Sequence, residues 1–296
     1  MNEKIGWDWY RSFLGVMQEG SLSGAARALG STQPTIGRHI SELERAFDMT
    51  LFIRTQGGLM PTEAANALLL PAREMANVAA SMERVATCHG EGVQGTVRVT
   101  TSEVLAIEVL PDILAQIAET LPQVNIELLL SDKVQDLLNR EADIAIRLFR
   151  PTQTQLIARR IGRIPVGFFA HKIYLEKYAT PTTLADLENH CLIGFDRLTD
   201  YIRNVTKTLP FPIDKHTFRF RTDSNVAQLA LTRAGVGIGL CQVGLAEQDD
   251  NLVRLLEEDF CFDMESWVTM HEDLRKNAAC NAVFDQLVVG MQSYVG

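Results

Sequence analysis

The sequence predicts two folded parts joined by one long helix: a small, mainly helical N-terminal part and a larger α/β part. Three observations support this prediction. A length of 296 residues fits about two domains of ordinary size. Apolar residues recur at helical spacing over residues 9–47 and in a heptad pattern over residues 63–87. After residue 96, strand-like and helix-like segments alternate, which is typical of an α/β domain.

Composition and charge exclude several classes of protein. A hydrophobic content of 46% with ordinary glycine and proline excludes a disordered chain. No apolar run approaches the roughly 18 residues of a membrane helix, and the first residues lack the apolar centre of a secretion signal. We therefore expect a cytoplasmic protein without a membrane partner. The net charge of −9 means that any contact with nucleic acid must use a local basic patch.

Two helices are predicted before residue 30. Trp9, Phe13 and Val16 form an apolar stripe that ends before Gly20. A second, alanine-rich helix follows from Leu22 and ends at Gly30, since glycine adopts the left-handed conformation at a helix end.

A third helix begins near Ser31, where hydroxyl groups can cap it and Pro34 fits the first turn. Its apolar stripe faces the helices before it, and its other face is polar. Two short helices of this kind are typical of a helix-turn-helix, whose second helix enters the major groove of DNA. An ordinary helical hairpin with a solvated polar face is the alternative. The candidate DNA-binding residues of this helix are Thr32, Gln33, Pro34, Thr35, Arg38 and His39.

Residues 51–54 predict a strand, residues 56–58 a turn and residues 59–60 a return strand. Together they form a β-wing beside the helices, from which Arg54 would reach a backbone phosphate. At this point the chain resembles the LysR-type transcriptional regulators. The matching segments are residues 20–29, 32–40, 43–44, 51–54 and 61–64. Two departures affect the base preference: Gly37, where the family commonly has serine, and His39, where it commonly has glutamine.

A long helix is predicted from residue 63 to residue 87, with Thr62 as its cap. Its apolar residues are spaced alternately four and three apart, which favours a coiled coil between two chains; packing on its own domain is the alternative. The resemblance likewise implies dimerisation through this helix. The seam residues are Ala64, Leu68, Pro71, Met75, Val78, Met82 and Val85. The predicted boundaries are residues 1–62 for the winged helix-turn-helix, 63–89 for the linker helix and 90–296 for the C-terminal domain.

In the C-terminal domain, strands are predicted at residues 97–100, 124–130, 143–146, 166–170 and 192–195. Helices are predicted at residues 109–119, 133–140, 225–233 and 277–289. The alternation implies a mainly parallel sheet. The segment resembles the effector-binding domain of the same family, two α/β lobes that also resemble periplasmic solute-binding proteins. This resemblance implies lobe one at residues 94–162 and 270–296, and lobe two at residues 163–269.

Ligands of open α/β sheets bind beyond the carboxyl ends of the strands, which here indicates the cleft between the lobes. Helix starts at Ser102 and Ser224 favour an anionic group on the effector, and Arg147 suits a carboxylate. The alternative is structural: the serines cap helices and Arg147 pairs with a surface acid. The candidate effector-binding residues are Thr100, Thr101, Ser102, Ser131, Arg147, Asp196, Thr222 and Asn225.

Known catalytic motifs are absent from the sequence. Residues 235–240 are glycine-rich but lack the last glycine of a dinucleotide loop, and His271-Glu272 lacks the second histidine of a zinc protease. We therefore expect no enzymatic activity, no cofactor and no metal.

The resemblance implies a transcriptional regulator that binds double-stranded promoter DNA and a small-molecule effector. It also implies a homodimer through the linker helix and a homotetramer as a dimer of dimers, with RNA polymerase as a further candidate partner. Two alternatives stay open: a DNA-binding repressor that needs no ligand, and a solute-binding module without regulatory output.

Overall fold

The computed structural model describes residues 5–55, 58–87, 93–131, 137, 140–197 and 216–296. The chain divides into two compact units. The N-terminal unit comprises Met1–Glu83 with Asn139–Glu141, and the C-terminal unit comprises Arg84–Leu138 with Ala142–Gly296. In the described parts of the chain, no helix combines the length and the hydropathy needed to cross a bilayer.

Three helices form the body of the N-terminal unit: α1 (Trp7–Glu19), α2 (Leu22–Ala28) and α3 (Gln33–Phe47). Gly20 adopts a left-handed conformation with φ 67° and ends α1. The Ser21 hydroxyl then accepts a hydrogen bond from the Gly24 N–H at 3.1 Å and caps α2. The apolar sides of the three helices meet in one core with Phe13 at its centre.

The wing consists of β1 (Phe52–Thr55) and the antiparallel β2 (Gly58–Pro61). Both strands are tied to the helices. Glu44 of α3 accepts hydrogen bonds from the Leu51 and Phe52 N–H groups at 2.7 and 3.2 Å. The Leu59 N–H donates to the Gly20 carbonyl at 3.0 Å. The predicted winged helix-turn-helix is therefore confirmed, while part of its predicted turn, residues 56–57, lies outside the described residues.

The linker helix α4 runs over Glu63–Thr87, continuous through Pro71. The Thr62 hydroxyl accepts from the Ala65 N–H at 3.2 Å and donates to the Thr50 carbonyl at 2.8 Å, so one side chain caps α4 and attaches it to the start of the wing. One side of α4 packs on the helical core through Ala65 and Ala72. Residues 88–92, across which the predicted boundary between the linker helix and the C-terminal domain falls, lie outside the described residues.

The C-terminal unit begins with β3 (Gly95–Thr101), β4 (Val124–Leu130) and β5 (Ile144–Arg147). Strand β3 lies between the other two and is parallel to both. Between β3 and β4, a π-helical segment (Leu105–Val109) leads into α5 (Leu110–Thr120). Most of the helix predicted over residues 133–140 lies outside the described residues.

Two 3-10 helices span Leu184–Asn189 and Glu272–Lys276, and the remaining α-helices and strands follow in chain order. They are β6 (Leu156–His171), α6 (Lys172–Tyr178), β7 (Ile193–Phe195), β8 (Phe220–Thr222), α7 (Asn225–Arg233), β9 (Gly239–Gln242), α8 (Val243–Ala246), β10 (Leu252–Leu255), β11 (Phe262–His271) and α9 (Ala278–Val295).

The prediction of a mainly parallel sheet is wrong. The seven-stranded sheet has the order β10-β6-β11-β5-β3-β4, with β9 also paired to β6. Its antiparallel pairs are β6 with β9, β10 and β11, and β5 with β11. The first half of β6 was not predicted because none of its side chains is buried and the exposed ones, among them Arg159 and Arg160, lack the apolar alternation of a half-buried strand.

Two sets of apolar cores define two lobes. Lobe one packs β3, β4, β5, α5 and α9 around residues such as Val99, Ile144 and Leu287. Lobe two packs α6, β7, α7, β9 and β10 around residues such as Phe168 and Leu229. Strands β6 and β11 run through both, so the predicted lobe boundaries at residues 162–163 and 269–270 fall inside strands.

A buried ion pair fixes the last turn of α4 to the sheet of the C-terminal unit. Arg84 Nε lies 3.0 Å from Asp143 Oδ2, and both side chains are at least nine-tenths buried. The same carboxylate accepts from the Arg98 N–H at 2.9 Å, and the Asp143 N–H donates to the Arg98 carbonyl at 2.8 Å. Asp143 thus holds β3 and the end of α4 at the start of β5.

We expect Arg84→Met to lower the free energy of unfolding by about 3–5 kcal/mol, because it leaves the Asp143 carboxylate buried without its cation. Chemical denaturation measures the loss. Arg160→Met is the control: Arg160 and Glu265 form an exposed pair at 3.6 Å, whose loss should cost less than about 1 kcal/mol. Equal effects of the two substitutions would contradict the importance of the buried pair.

Candidate DNA-binding and effector-binding sites

The polar face of α3 begins at its capped N-terminus. The Thr32 hydroxyl accepts from the Thr35 N–H at 3.4 Å and lies 2.8 Å from the Thr35 hydroxyl. Thr32, Gln33, Pro34 and Arg38 are exposed, whereas Thr35 is half-buried. The structure therefore brings these five predicted residues together on the first half of one helix.

The position of Gly37 on α3 has enough space for a side-chain Cβ atom. A Cβ atom at this position would lie 3.6 Å from Leu22 Cδ1, an ordinary van der Waals contact. The glycine is therefore not required by packing within the unit.

His39 differs from its neighbours because its ring takes part in packing. Its Nδ1 lies 2.8 Å from the hydroxyl of Ser12, which is buried on α1. The histidine is half-buried and links α3 to α1. One ring nitrogen thus has a structural role.

Arg54 lies exposed on β1, opposite Leu59 in the wing. It belongs to a different element from the other predicted DNA-binding residues. Its place is set by the attachment of β1 to Glu44 of α3.

The first group of predicted effector-binding residues lies at the carboxyl ends of β3, β4 and β5. Thr100 and Thr101 end β3, Ser131 follows β4, and Arg147 ends β5. The Ser131 N–H donates to the Thr101 carbonyl at 2.9 Å. Arg147 is only 5% exposed, and its Nη2 donates to the Thr100 hydroxyl at 3.3 Å. The ends of three adjacent strands therefore place four of these residues at one edge of the sheet.

Two hydroxyls at this edge are buried and have no hydrogen-bond partner among the residues that the structure describes. They belong to Thr101, which is 0% exposed, and to Ser102, which is 7% exposed. Ser102 does not cap the helix that follows it with its side chain, contrary to the structural alternative. A buried hydroxyl without a partner costs about 1–3 kcal/mol, and such groups are found where a protein binds another molecule.

The second group lies in lobe two, where β7 and β8 end side by side. The Asp196 N–H donates to the Thr222 carbonyl at 3.3 Å, and the Asp196 side chain is exposed. The Thr222 hydroxyl accepts from the Ser224 N–H at 3.1 Å. Asn225, half-buried, is the first residue of α7. Ser224 caps this helix by accepting from the Ala227 N–H at 3.3 Å, as the structural alternative proposed for it.

Sequence reasoning missed the residue that connects the two groups. The Ser224 hydroxyl donates to Glu103 Oε2 at 2.7 Å, so a carboxylate of lobe one reaches the start of α7 in lobe two. In the sequence, Glu103 is indistinguishable from an ordinary acidic residue in the first turn of a helix. Its one sequence signal is that Glu103 directly follows Ser102, a predicted effector-binding residue.

Two further side-chain contacts join the lobes. Arg233 Nη1 and Nη2 donate to the two carboxylate oxygens of Glu108, each at 2.9 Å. These bonds raise the pKa of Arg233 above its ordinary value. The Tyr294 hydroxyl of α9 donates to Gln242 Oε1 at 2.6 Å, and burial raises the pKa of Tyr294 to about 12. Both groups keep their protons at neutral pH.

Groups of three or more histidine, cysteine or acidic side chains that could hold a metal ion do not occur among the described residues.

The sequence matches two family profiles, and together they cover both units. Residues 7–66 match the bacterial regulatory helix-turn-helix protein, lysR family, and residues 90–291 match the LysR substrate binding domain. The protein belongs to the LysR family of transcriptional regulators, and the predicted resemblance is confirmed.

Individual relatives are distant. An HTH-type transcriptional regulator of Xanthomonas campestris pv. campestris is 28% identical over 60% of this chain. The match spans about half of that relative, 52% of its length.

Solved structures show the same fold over nearly the whole chain. CrgA, a LysR-type regulator from Neisseria meningitidis, is 23% identical with a TM-score of 0.61, covering 98% of this chain and 99% of its own. Full-length CbnR complexed with its target DNA is 20% identical with a TM-score of 0.69, covering 97% and 99%.

The Thr101 hydroxyl, which has no partner among the described residues, predicts an unusual change in stability on substitution. Thr101→Val should raise the free energy of unfolding by about 1 kcal/mol, because it removes a desolvated group without breaking a hydrogen bond. Thermal and chemical unfolding measure the change. Thr269→Val is the matched control: its buried hydroxyl donates to the Ala145 carbonyl at 3.2 Å, so its loss should cost about 1 kcal/mol. If both variants lose the same stability, the Thr101 hydroxyl has a partner.

Proposed function

We propose that this chain is a cytoplasmic transcriptional regulator that binds double-stranded promoter DNA through α3 and the wing. The exposed polar face of α3 is the observation that carries the proposal. Gln33 and Arg38 have the donors and acceptors that read adenine and guanine edges in the major groove, and Arg54 suits a phosphate. The complex of CbnR with its target DNA supports the same role for this chain.

We propose the domain organisation 1–62, 63–89 and 90–296, with the last part binding a small-molecule effector. The buried Arg147 and the unpartnered hydroxyls of Thr101 and Ser102 support this role. Hydroxyls and a guanidinium group bind a carboxylate or another oxyanion, so the effector carries an anionic group. Thr100, Ser131, Asp196, Thr222 and Asn225 complete the proposed site. The output is a change in promoter transcription, with RNA polymerase as the candidate partner.

The proposed oligomer is a homodimer through α4 that pairs into a homotetramer. From Pro71 onward, the described seam residues are exposed: Pro71, Met75, Val78 and Met82. Met82 is 69% exposed. A row of exposed apolar side chains on one side of a helix is typical of a surface that a second copy covers.

The DNA-binding proposal is tested on the DNA upstream of the protein's own gene. A footprint of the wild type should protect an interrupted inverted repeat, and Arg38→Ala should weaken binding by about 1–3 kcal/mol. Fluorescence anisotropy at two salt concentrations measures the affinity and its salt dependence. Arg160→Ala, which removes the same charge from the C-terminal unit, should leave the affinity unchanged. An Arg38→Ala variant that binds as tightly as the wild type would exclude α3 as the reading helix.

The dimer proposal is tested by placing a charge on the seam. Met82→Glu should raise the dissociation constant of the dimer at least about tenfold, because each chain would bury a carboxylate against the other. Sedimentation equilibrium measures the constant. Asn66→Glu adds the same charge to an exposed position on the opposite side of α4 and should have no effect. Equal dissociation constants for Met82→Glu and wild type would assign the dimer to another surface.

A further inference from the structure

Two carboxylates of lobe one hold the two ends of one helix in lobe two. Glu103 contacts Ser224 at the start of α7, and Glu108 contacts Arg233 at its end. The two acids are five residues apart: Glu103 precedes the π-helical segment Leu105–Val109, and Glu108 lies inside it. Both carboxylates reach the same helix of lobe two, since Glu103 contacts Ser224 and Glu108 contacts Arg233.

Both contacts agree with the dipole of α7. The start of a helix carries partial positive charge and favours an anion, and its end favours a cation. Glu103 supplies the anion at the start, where the Ser224 hydroxyl that it accepts from also caps the helix. Arg233 supplies the cation in the last turn. The place at the start of α7 where an external anion would bind is therefore taken by a side chain of the protein.

The two contacts differ in strength. Arg233 and Glu108 form two charge-assisted hydrogen bonds of 2.9 Å, and Asp249 adds a second carboxylate 3.8 Å from Arg233 Nε. Among the described residues, Glu103 accepts one hydrogen bond across the lobes, from the neutral hydroxyl of Ser224. The Glu103 end is thus the weaker of the two, and it directly follows the unpartnered hydroxyls of Thr101 and Ser102.

We propose that Glu103 is the specificity-determining gate of the effector site, an internal anion that an anionic effector must displace from the start of α7. The effector's oxyanion takes over the Ser224 hydroxyl and supplies the missing partner to Thr101 and Ser102. While the effector replaces Glu103, the Glu108–Arg233 pair continues to hold the other end of α7. This inference rests on the proposed effector site. Because Glu103 competes for the start of α7, it lowers the affinity for anions, and only ligands that make further contacts displace it.

Sulfate serves as the probe anion, and the full-length protein is titrated at constant ionic strength while its thermal unfolding midpoint is followed. Glu103→Gln should bind sulfate about tenfold more tightly than the wild type, because the competing charge is gone. Glu119→Gln removes the same charge from an exposed position on α5 and should match the wild type. Equal dissociation constants in all three proteins, or no sulfate binding in any of them, would overturn the proposal. An equal gain in sulfate affinity in both variants would also overturn it, since such a gain would come from the change in net charge alone.

Hydrogen exchange of the ligand-free protein tests the contact itself with a second variant. In Glu103→Ala, amides 225–228 should exchange faster than in the wild type, whereas amides at the Arg233 end should not change. Unchanged exchange at residues 225–228 would overturn the proposal even if the sulfate affinity changed.

Neither experiment uses DNA or the natural effector, so their failure is separable from failure of the proposed function. A thermal-shift screen of metabolites against wild type and Ser102→Ala tests the effector site by itself.

Discussion

The buried pair of Arg84 and Asp143 is the interaction on which the C-terminal unit depends most. Two charges taken out of water are costly, and they persist only where each finds its hydrogen-bond partners. Asp143 meets this condition with the Arg84 guanidinium and the Arg98 N–H. Hydrogen bonds and an ion pair therefore fix the last turn of α4 on the sheet. Such directional contacts tolerate smaller displacements than apolar contacts do.

The same strand carries this anchor and the proposed effector site. Strand β5 has four residues; Asp143 precedes it and Arg147 ends it. All four are buried, and β5 lies between β3 and β11 in the sheet. The end of the linker helix and the guanidinium at the effector site are thus connected through a short, packed strand, not through a loop.

Local sequence patterns predicted the elements whose formation is decided locally. Helix α4 begins and ends where the Thr62 cap and the heptad spacing predicted, and α7 occupies residues 225–233 as predicted. The first half of β6 was not found, because its strand character comes from its pairing with β11 about a hundred residues away. Glu103 was missed for the same reason, since its partner Ser224 lies 121 residues further along the chain. Exposed or charged side chains that make contacts across such separations produce no hydrophobic periodicity in the sequence, so sequence patterns do not reveal those contacts.

The chemistry of the proposed effector site must be argued from this chain's own side chains, because the solved structures at 20–23% identity share the fold alone. Here the strand ends offer two hydroxyls without partners among the described residues and one buried guanidinium, and Glu103, the next residue in the chain, holds its carboxylate on Ser224. Hydroxyls and the guanidinium favour an anion, whereas the carboxylate disfavours it. The proposed site therefore discriminates by competition, because a bare anion gains little over Glu103 and a ligand binds well only when its remaining groups add contacts that Glu103 lacks.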